Sequence, residues 1–166
     1  VQSSGFHSNG FSLVRKVVFD KARLAIDQPI PQLGTTVAEA LMTPTLIYTA
    51  LVRQVLGHYK VKNVVHGIGH ITGGGLLENT ERILPPGVDL VFDRGSWDIP
   101  PVFNWLQELG QIDADEMTHV FNMGIGLVLV VSSYYADSIL RLLEEHQLSA
   151  WKIGDVSAGE RGVSWK

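Results

Sequence analysis

Apolar residues recur along this chain with two different periods. Over residues 11–22, "FSLVRKVVFDKA", Phe11, Val14, Val18 and Ala22 share one helical face while Arg15 and Lys16 lie on another, which predicts an amphipathic helix. Further helices are predicted over about 48–58, over 100–109 with proline in the first turn, and over 134–145. Continuous apolar runs at 61–71 ("VKNVVHGIGHI"), 88–92 ("VDLVF") and 124–131 ("GIGLVLVV") read as buried strands. "AWKIGDV" and "GVSWK" give terminal strands, and "VQSSG" reads as the end of another.

Local signals divide these elements. "DQPIPQLG" (27–34) is a Pro/Gly-rich loop. "TVAE" (36–39) is a capping box in which Thr36 caps a helix and Glu39 reaches back, and Pro44 ends that helix. Asp113 and Glu116 form a second box. A short helix is predicted from Leu76, after the turn "TGGG". The whole, residues 1–166, reads as a single α+β domain: a mixed β-sheet with helices packed on its faces.

Composition narrows the class of partner. A formal net charge of −4 argues against nucleic acid and anionic membranes, which favour basic surfaces. It leaves room for a small phosphorylated ligand, which needs only a local site. The absence of cysteine excludes disulfides, thiolate metal sites and a cysteine nucleophile, and fits a reducing, cytoplasmic compartment. No apolar run approaches the roughly 20 residues of a membrane span. The first residue is Val1 rather than Met, from which a piece of a longer chain is expected.

Candidate chemistry gathers in two glycine-rich turns, each between a strand and a helix. The first is "SGFHSNG" (4–10). Free N–H groups at the following helix start favour an anion, Ser8 and Asn9 can cap the helix or hold a ligand, and His7 can donate a hydrogen bond or move a proton near neutral pH. A capped helix with an exposed histidine is the plain alternative. The second is "HITGGGLLEN" (70–79), where three consecutive glycines would let a backbone approach a phosphate or ribose. It is neither a P-loop nor the dinucleotide fingerprint. The alternative is a flexible turn.

Weaker features surround these turns. His66 and His70 are four apart with Gly-Ile-Gly between them. On a strand that step is about 13 Å, too long for one shared ion, so no metal site is assigned. His70 stays interesting beside the glycine turn, and His66 reads as structural. His58, His119 and His146 read as surface or packing residues. Asp93 and Asp98 could pair, but Asp98 reads better as a cap for the next helix. "FNMGIG" (121–126) suggests close backbone approach at its glycines.

"SSGFHSNGFSLVRK", "HITGGGLLEN", "GSWDIPPVFNWLQ", "FNMGIGLVLVV" and "AWKIGDVSAGE" together resemble, in order and over essentially the whole chain, the C-terminal domain of the aminoimidazole ribonucleotide synthetases, or phosphoribosylformylglycinamidine cyclo-ligases. The resemblance implies a two-domain enzyme of purine synthesis, with a C-terminal domain partly similar to the ferredoxin-like arrangement. It implies ATP-dependent phosphorylation of a formyl oxygen, followed by ring closure on formylglycinamidine ribonucleotide. ATP and Mg2+ would be bound mainly by an N-terminal domain absent from this chain, and the full-length enzyme would be a homodimer. Carried over residue by residue, Ser4, Ser8, Asn9 and Gly10 would meet substrate, with Thr72, Gly73, Gly74 and Gly75 as the second wall. His7 and His70 would be the catalytic imidazoles. The isolated fragment is expected to be inactive. The related formylglycinamidine ribonucleotide amidotransferases and a non-catalytic ribonucleotide-binding module are the alternatives.

Overall fold

The computed structural model describes all of residues 1–166. Helix α1 (Phe11–Arg15) runs on into a π-helical segment, Lys16–Lys21, and the two bury Val14, Val17 and Val18. The 3.6-residue spacing therefore finds its helix, with a wider last turn. The Pro/Gly loop folds into a small hairpin of β1 (Pro29–Ile30) and β2 (Thr35–Thr36). Thr36 then caps α2 (Val37–Leu41): its hydroxyl accepts from Glu39 N, and the Glu39 carboxylate accepts from Thr36 N at 2.8 Å. Thr36 N and then Thr36 Oγ1, both donating to the Glu39 carboxylate, hold its carboxyl below the ordinary range.

The remaining elements follow as α3 (Thr49–His58), β3 (Val65–His70), α4 (Gly75–Glu81), β4 (Val88–Phe92), α5 (Pro101–Gly110), α6 (Ala114–Val120) and β5 (Leu127–Val131). A short 3-10 turn leads into α7 (Ala136–Glu145), and β6 (Gly154–Ala158) and β7 (Val163–Trp165) close the chain. Two caps differ from the sequence reading. Asp113 accepts from Asp115 N rather than Glu116 N, and Glu116 returns no bond, so Asp113 is a simple cap and the second box does not form. Pro100, not Asp98, stands at the N-cap of α5.

The fold is α+β, with its strands in three groups. β1 and β2 form one hairpin, β3 pairs antiparallel with β5, and β4 lies between antiparallel β6 and parallel β7. The last group is the mixed sheet. Residues 1–3 run along the free edge of β5: Gln2 bridges Ile125, and Ser3 N donates to Gly124 O at 2.7 Å.

Three apolar cores hold these layers together. Phe6, Phe103, Phe121 and Met117 centre the first, which α1, α5 and α6 enclose. Ile71, Leu76, Phe92 and Ile125 centre the second, beneath α4. Tyr48, Val55, Leu127 and Leu143 join α3 and α7 to β5 in the third. Fully burying one such side chain stabilises the fold by roughly 1.5–3 kcal/mol. The two glycine-rich turns lie on the seams between these cores. No helix is long and apolar enough to cross a membrane.

Candidate functional site

The first turn, residues 4–10, is shaped by a buried amide. Asn122 has no exposed surface. Its Oδ1 accepts from Ser3 Oγ and from Gly124 N, each at 2.8 Å, and its Nδ2 donates to Gly5 O at 2.9 Å. One side chain thus joins the start of the chain to the turn before β5. Ser4 Oγ donates to Pro44 O at 2.6 Å, and Ser8 Oγ lies 3.5 Å from Thr45 Oγ1, so the 43–48 segment braces the outer side. Asn9 is half-buried and its side chain makes no hydrogen bond. Gly10 starts α1 with φ 68°, and a side chain there would strike the Phe121 ring.

His7 is 5 % exposed and adopts φ 55°, the left-handed region that a non-glycine residue seldom enters. Ser4 N donates to its Nε2 at 3.1 Å. That bond uses the nitrogen's lone pair, so in the neutral ring the proton sits on Nδ1. Nδ1 is buried and has no partner. Burial, and then the neighbouring His70, hold the His7 pKa below its ordinary value and keep the ring neutral.

The second turn is built on the same plan. Asn79, 6 % exposed in α4, donates from Nδ2 to Thr72 O, Gly73 O and Gly75 O at 3.2, 3.1 and 2.8 Å. Its Oδ1 accepts from Thr72 Oγ1 at 3.0 Å. Gly75 is glycine for a packing reason: a side chain there would land on Thr118 O, in the backbone of α6. Gly74 (φ 94°) lies against the Glu78 side chain, while Gly73 faces open space. His119, on α6, puts Nδ1 3.4 Å from Glu78 Oε1 of α4, both side chains standing in solvent.

The two turns meet through three rings. The His7 and His70 centroids are 6.4 Å apart, and Tyr48 lies 6.2 Å from the first and 5.9 Å from the second. Tyr48 Oη donates to Gln2 O at 2.6 Å, and burial pushes its pKa up. Gly126 lies beneath: any side chain there would strike the Tyr48 hydroxyl and the His7 ring. His70, at the end of β3, is exposed. The structure therefore places the His7 and His70 rings side by side, one at each turn. It places Ser4, Ser8, Asn9 and Gly10 on one side and Thr72, Gly73, Gly74 and Gly75 beyond His70.

Other candidates fall elsewhere. His66 Nε2 lies 2.8 Å from Ser132 Oγ on the exposed side of β3. Asp93 Oδ1 accepts from Gly95 N in a turn, and Asp98 is exposed. No three His, Asp or Glu side chains converge to hold a metal ion. Sequence reasoning missed three supports of the site: Asn79, Tyr48 and the full role of Asn122. The only signal was an amide lying among apolar residues in "GGGLLEN" and "VFNMG".

The chain belongs to the AIR synthase-related proteins: residues 1–166 match the family described as "AIR synthase related protein, C-terminal domain". Among its relatives are phosphoribosylformylglycinamidine cyclo-ligases. That of Pseudothermotoga lettingae is 50 % identical over 161 residues, covering 97 % of this chain and 46 % of the relative. That of Trichlorobacter lovleyi is 48 % identical over 158 residues, covering 95 % and 44 %. The chain thus spans about half the length of the curated relatives it matches. The fold is also that of a thiamine-monophosphate kinase from Stenotrophomonas maltophilia K279a, with TM-score 0.64, 18 % identity, and coverage of 99 % of this chain and 48 % of that one. E. coli HypE, a hydrogenase maturation protein, gives TM-score 0.57 at 18 % identity, covering 96 % and 44 %.

Proposed function

We propose that this chain is the C-terminal half of an ATP-dependent cyclo-ligase that converts formylglycinamidine ribonucleotide to aminoimidazole ribonucleotide. The observation that carries the reading is the junction of the two turns at His7 and His70, within a chain that matches the family from end to end. In the proposed reaction the formyl oxygen takes a phosphoryl group from ATP. The ribosylated amidine nitrogen attacks the formyl carbon, a C–N bond forms, and the oxygen leaves as part of phosphate. The nitrogen's proton must go to a base.

The geometry favours a division of labour between the imidazoles. Neither His7 nitrogen is open: Nε2 accepts from Ser4 N, and Nδ1 is sealed from solvent. His7 therefore positions the turn through Ser4, and the exposed His70 is the proton acceptor. Asn9, with its amide free, and Gly73, with open space before it, are the contacts offered to the ribonucleotide. The residues of this chain do not suit Mg2+, because no carboxylates converge near the turns. ATP and the ion are assigned to the parent's other half, which also pairs the enzyme as a homodimer, and the isolated chain does not turn over.

The test is phosphate release from ATP by the parent enzyme carrying His70→Asn or His7→Asn. His70→Asn should lower kcat by about 100-fold or more, the usual worth of a general base, with ribonucleotide KM little changed. His7→Asn should raise KM as the first turn loosens. Normal kcat in His70→Asn would remove that residue from the role.

A further inference from the structure

A carboxylate overhangs the second turn. Glu78 lies in α4, and its side chain folds back over the glycines, so that a side chain at Gly74 would strike Glu78 Oε2, Cδ and Cβ. Two groups flank the carboxylate there. His119 Nδ1 stands 3.4 Å from Oε1, and Arg82 Nη2 stands 3.8 Å from Oε2. Both separations exceed the roughly 2.7–2.9 Å of a charge-assisted hydrogen bond. The lone pairs of Glu78 are therefore open to a better-placed donor, and 45 % of its side chain is exposed.

The rest of this wall is short of acceptors. Asn79 Nδ2 already takes the carbonyls of Thr72, Gly73 and Gly75. The strong acceptor left for a ligand beside Gly73, which faces open space, is the Glu78 carboxylate. Arg82 supplies its present counter-charge from a side chain that is 64 % exposed, a loose surface pairing that a cation bound at the turn would outcompete. At close range a carboxylate repels a phosphate. The second turn thus suits the end of a ligand that carries N–H groups.

We propose that Glu78 is a specificity residue: its carboxylate accepts from the exocyclic N–H of the ligand's amidine, and so selects the amidine over the amide that bears oxygen at that position. The assignment rests on the cyclo-ligase reading and names the part of the substrate that the second turn takes. The amidine is also the group whose other nitrogen, the ribosylated one, closes the ring. Held at Glu78 by its exocyclic nitrogen, it presents the ribosylated N–H toward His70, which precedes Gly74 by four residues in the same wall. The departing proton goes to His70, while Glu78 orients and selects but takes no proton. An amide at the same place would set its carbonyl oxygen against the carboxylate. A site built to pair with an N–H rejects the analogue that lacks it much more strongly than an apolar pocket rejects an extra methylene. The phosphate end is then turned toward the first turn, with its Ser8 and Asn9.

Calorimetric titration of the parent enzyme tests this with two ligands: formylglycinamidine ribonucleotide and its amide analogue, in which oxygen replaces the exocyclic nitrogen. The parent enzyme should prefer the amidine. Glu78→Gln, which keeps the size of the side chain and removes its charge, should lower the amidine-to-amide affinity ratio at least about tenfold, through weaker amidine binding. Glu78→Asp, which keeps the charge, should retain more of the preference than Glu78→Gln. An unchanged ratio in Glu78→Gln, whether both ligands bind as before, both weaken or both tighten, would overturn the proposal. A parent enzyme that binds neither ligand would overturn the cyclo-ligase reading itself, and this assignment with it.

Discussion

Replacing Asn122 with alanine should cost about 3 kcal/mol, although the residue never touches solvent or ligand. The magnitude follows from what each partner loses. Gly124 N donates to Asn122 Oδ1 at 2.8 Å and has no second acceptor, so it becomes an orphan at about 1–3 kcal/mol. Gly5 O loses the Nδ2 donor, but the Ser3 hydroxyl, freed from Asn122 and 3.1 Å away, can donate to it instead, so its loss is about 1 kcal/mol. The emptied volume adds a smaller term. For a domain of this size, 3 kcal/mol lowers Tm by about 6–12 °C. Denaturant unfolding is the assay, with an unchanged m-value as the sign that the denatured state is unaltered. Asn122→Asp sharpens the test. The carboxylate keeps the shape and the acceptors but points an oxygen at Gly5 O. Burial raises such an acid's pKa, so the folded state binds the extra proton and the deficit should shrink as pH falls. An Asn122→Ala protein within 1 kcal/mol of the parent would refute the reasoning that this amide holds the first turn.

Asn79→Ala should cost about 2–3 kcal/mol by the same logic, with hydrogen exchange quickening first at residues 72–75. Gly75→Ala should lower thermal stability by more than about 2 kcal/mol, because the new carbon meets the α6 backbone at Thr118, which cannot rotate away. His7 gives a pH dependence. Its folded pKa lies below the ordinary 6.5, so on acidification the unfolded chain binds a proton before the folded one. Stability from this group is complete above pH 6.5 and lost as pH falls toward the folded value, and His7→Gln should flatten that part of the urea-midpoint profile.

The parts of the fold set by local chemistry were open to reading. Thr36 and Glu39 are three residues apart and complete their box without help from elsewhere. Pro101 sits in the first turn of α5, where its missing N–H costs nothing. The two turns could be located because Gly and polar residues break apolar runs there. What holds each of them in shape could not. Asn122 meets Gly5 across 117 positions and Ser3 across 119, a contact that no periodicity encodes. Asn79 sits in a helix, where an amide ordinarily reads as surface. The packing reason for glycine at 10 and 75 was hidden too, because the Phe121 ring and the α6 backbone that a side chain would strike lie far away in sequence. The single mixed sheet came out in pieces because β5 pairs with β3, β6 pairs with β4, and neither pairs with the other.

The central claim is that the two turns form a ribonucleotide site, and calorimetric titration with formylglycinamidine ribonucleotide tests it most directly. Residues 1–166 should bind, and Asn9→Ala should weaken binding at least tenfold with Tm unchanged, since the Asn9 amide makes no internal bond. Binding of equal strength in the Asn9→Ala protein would contradict the account.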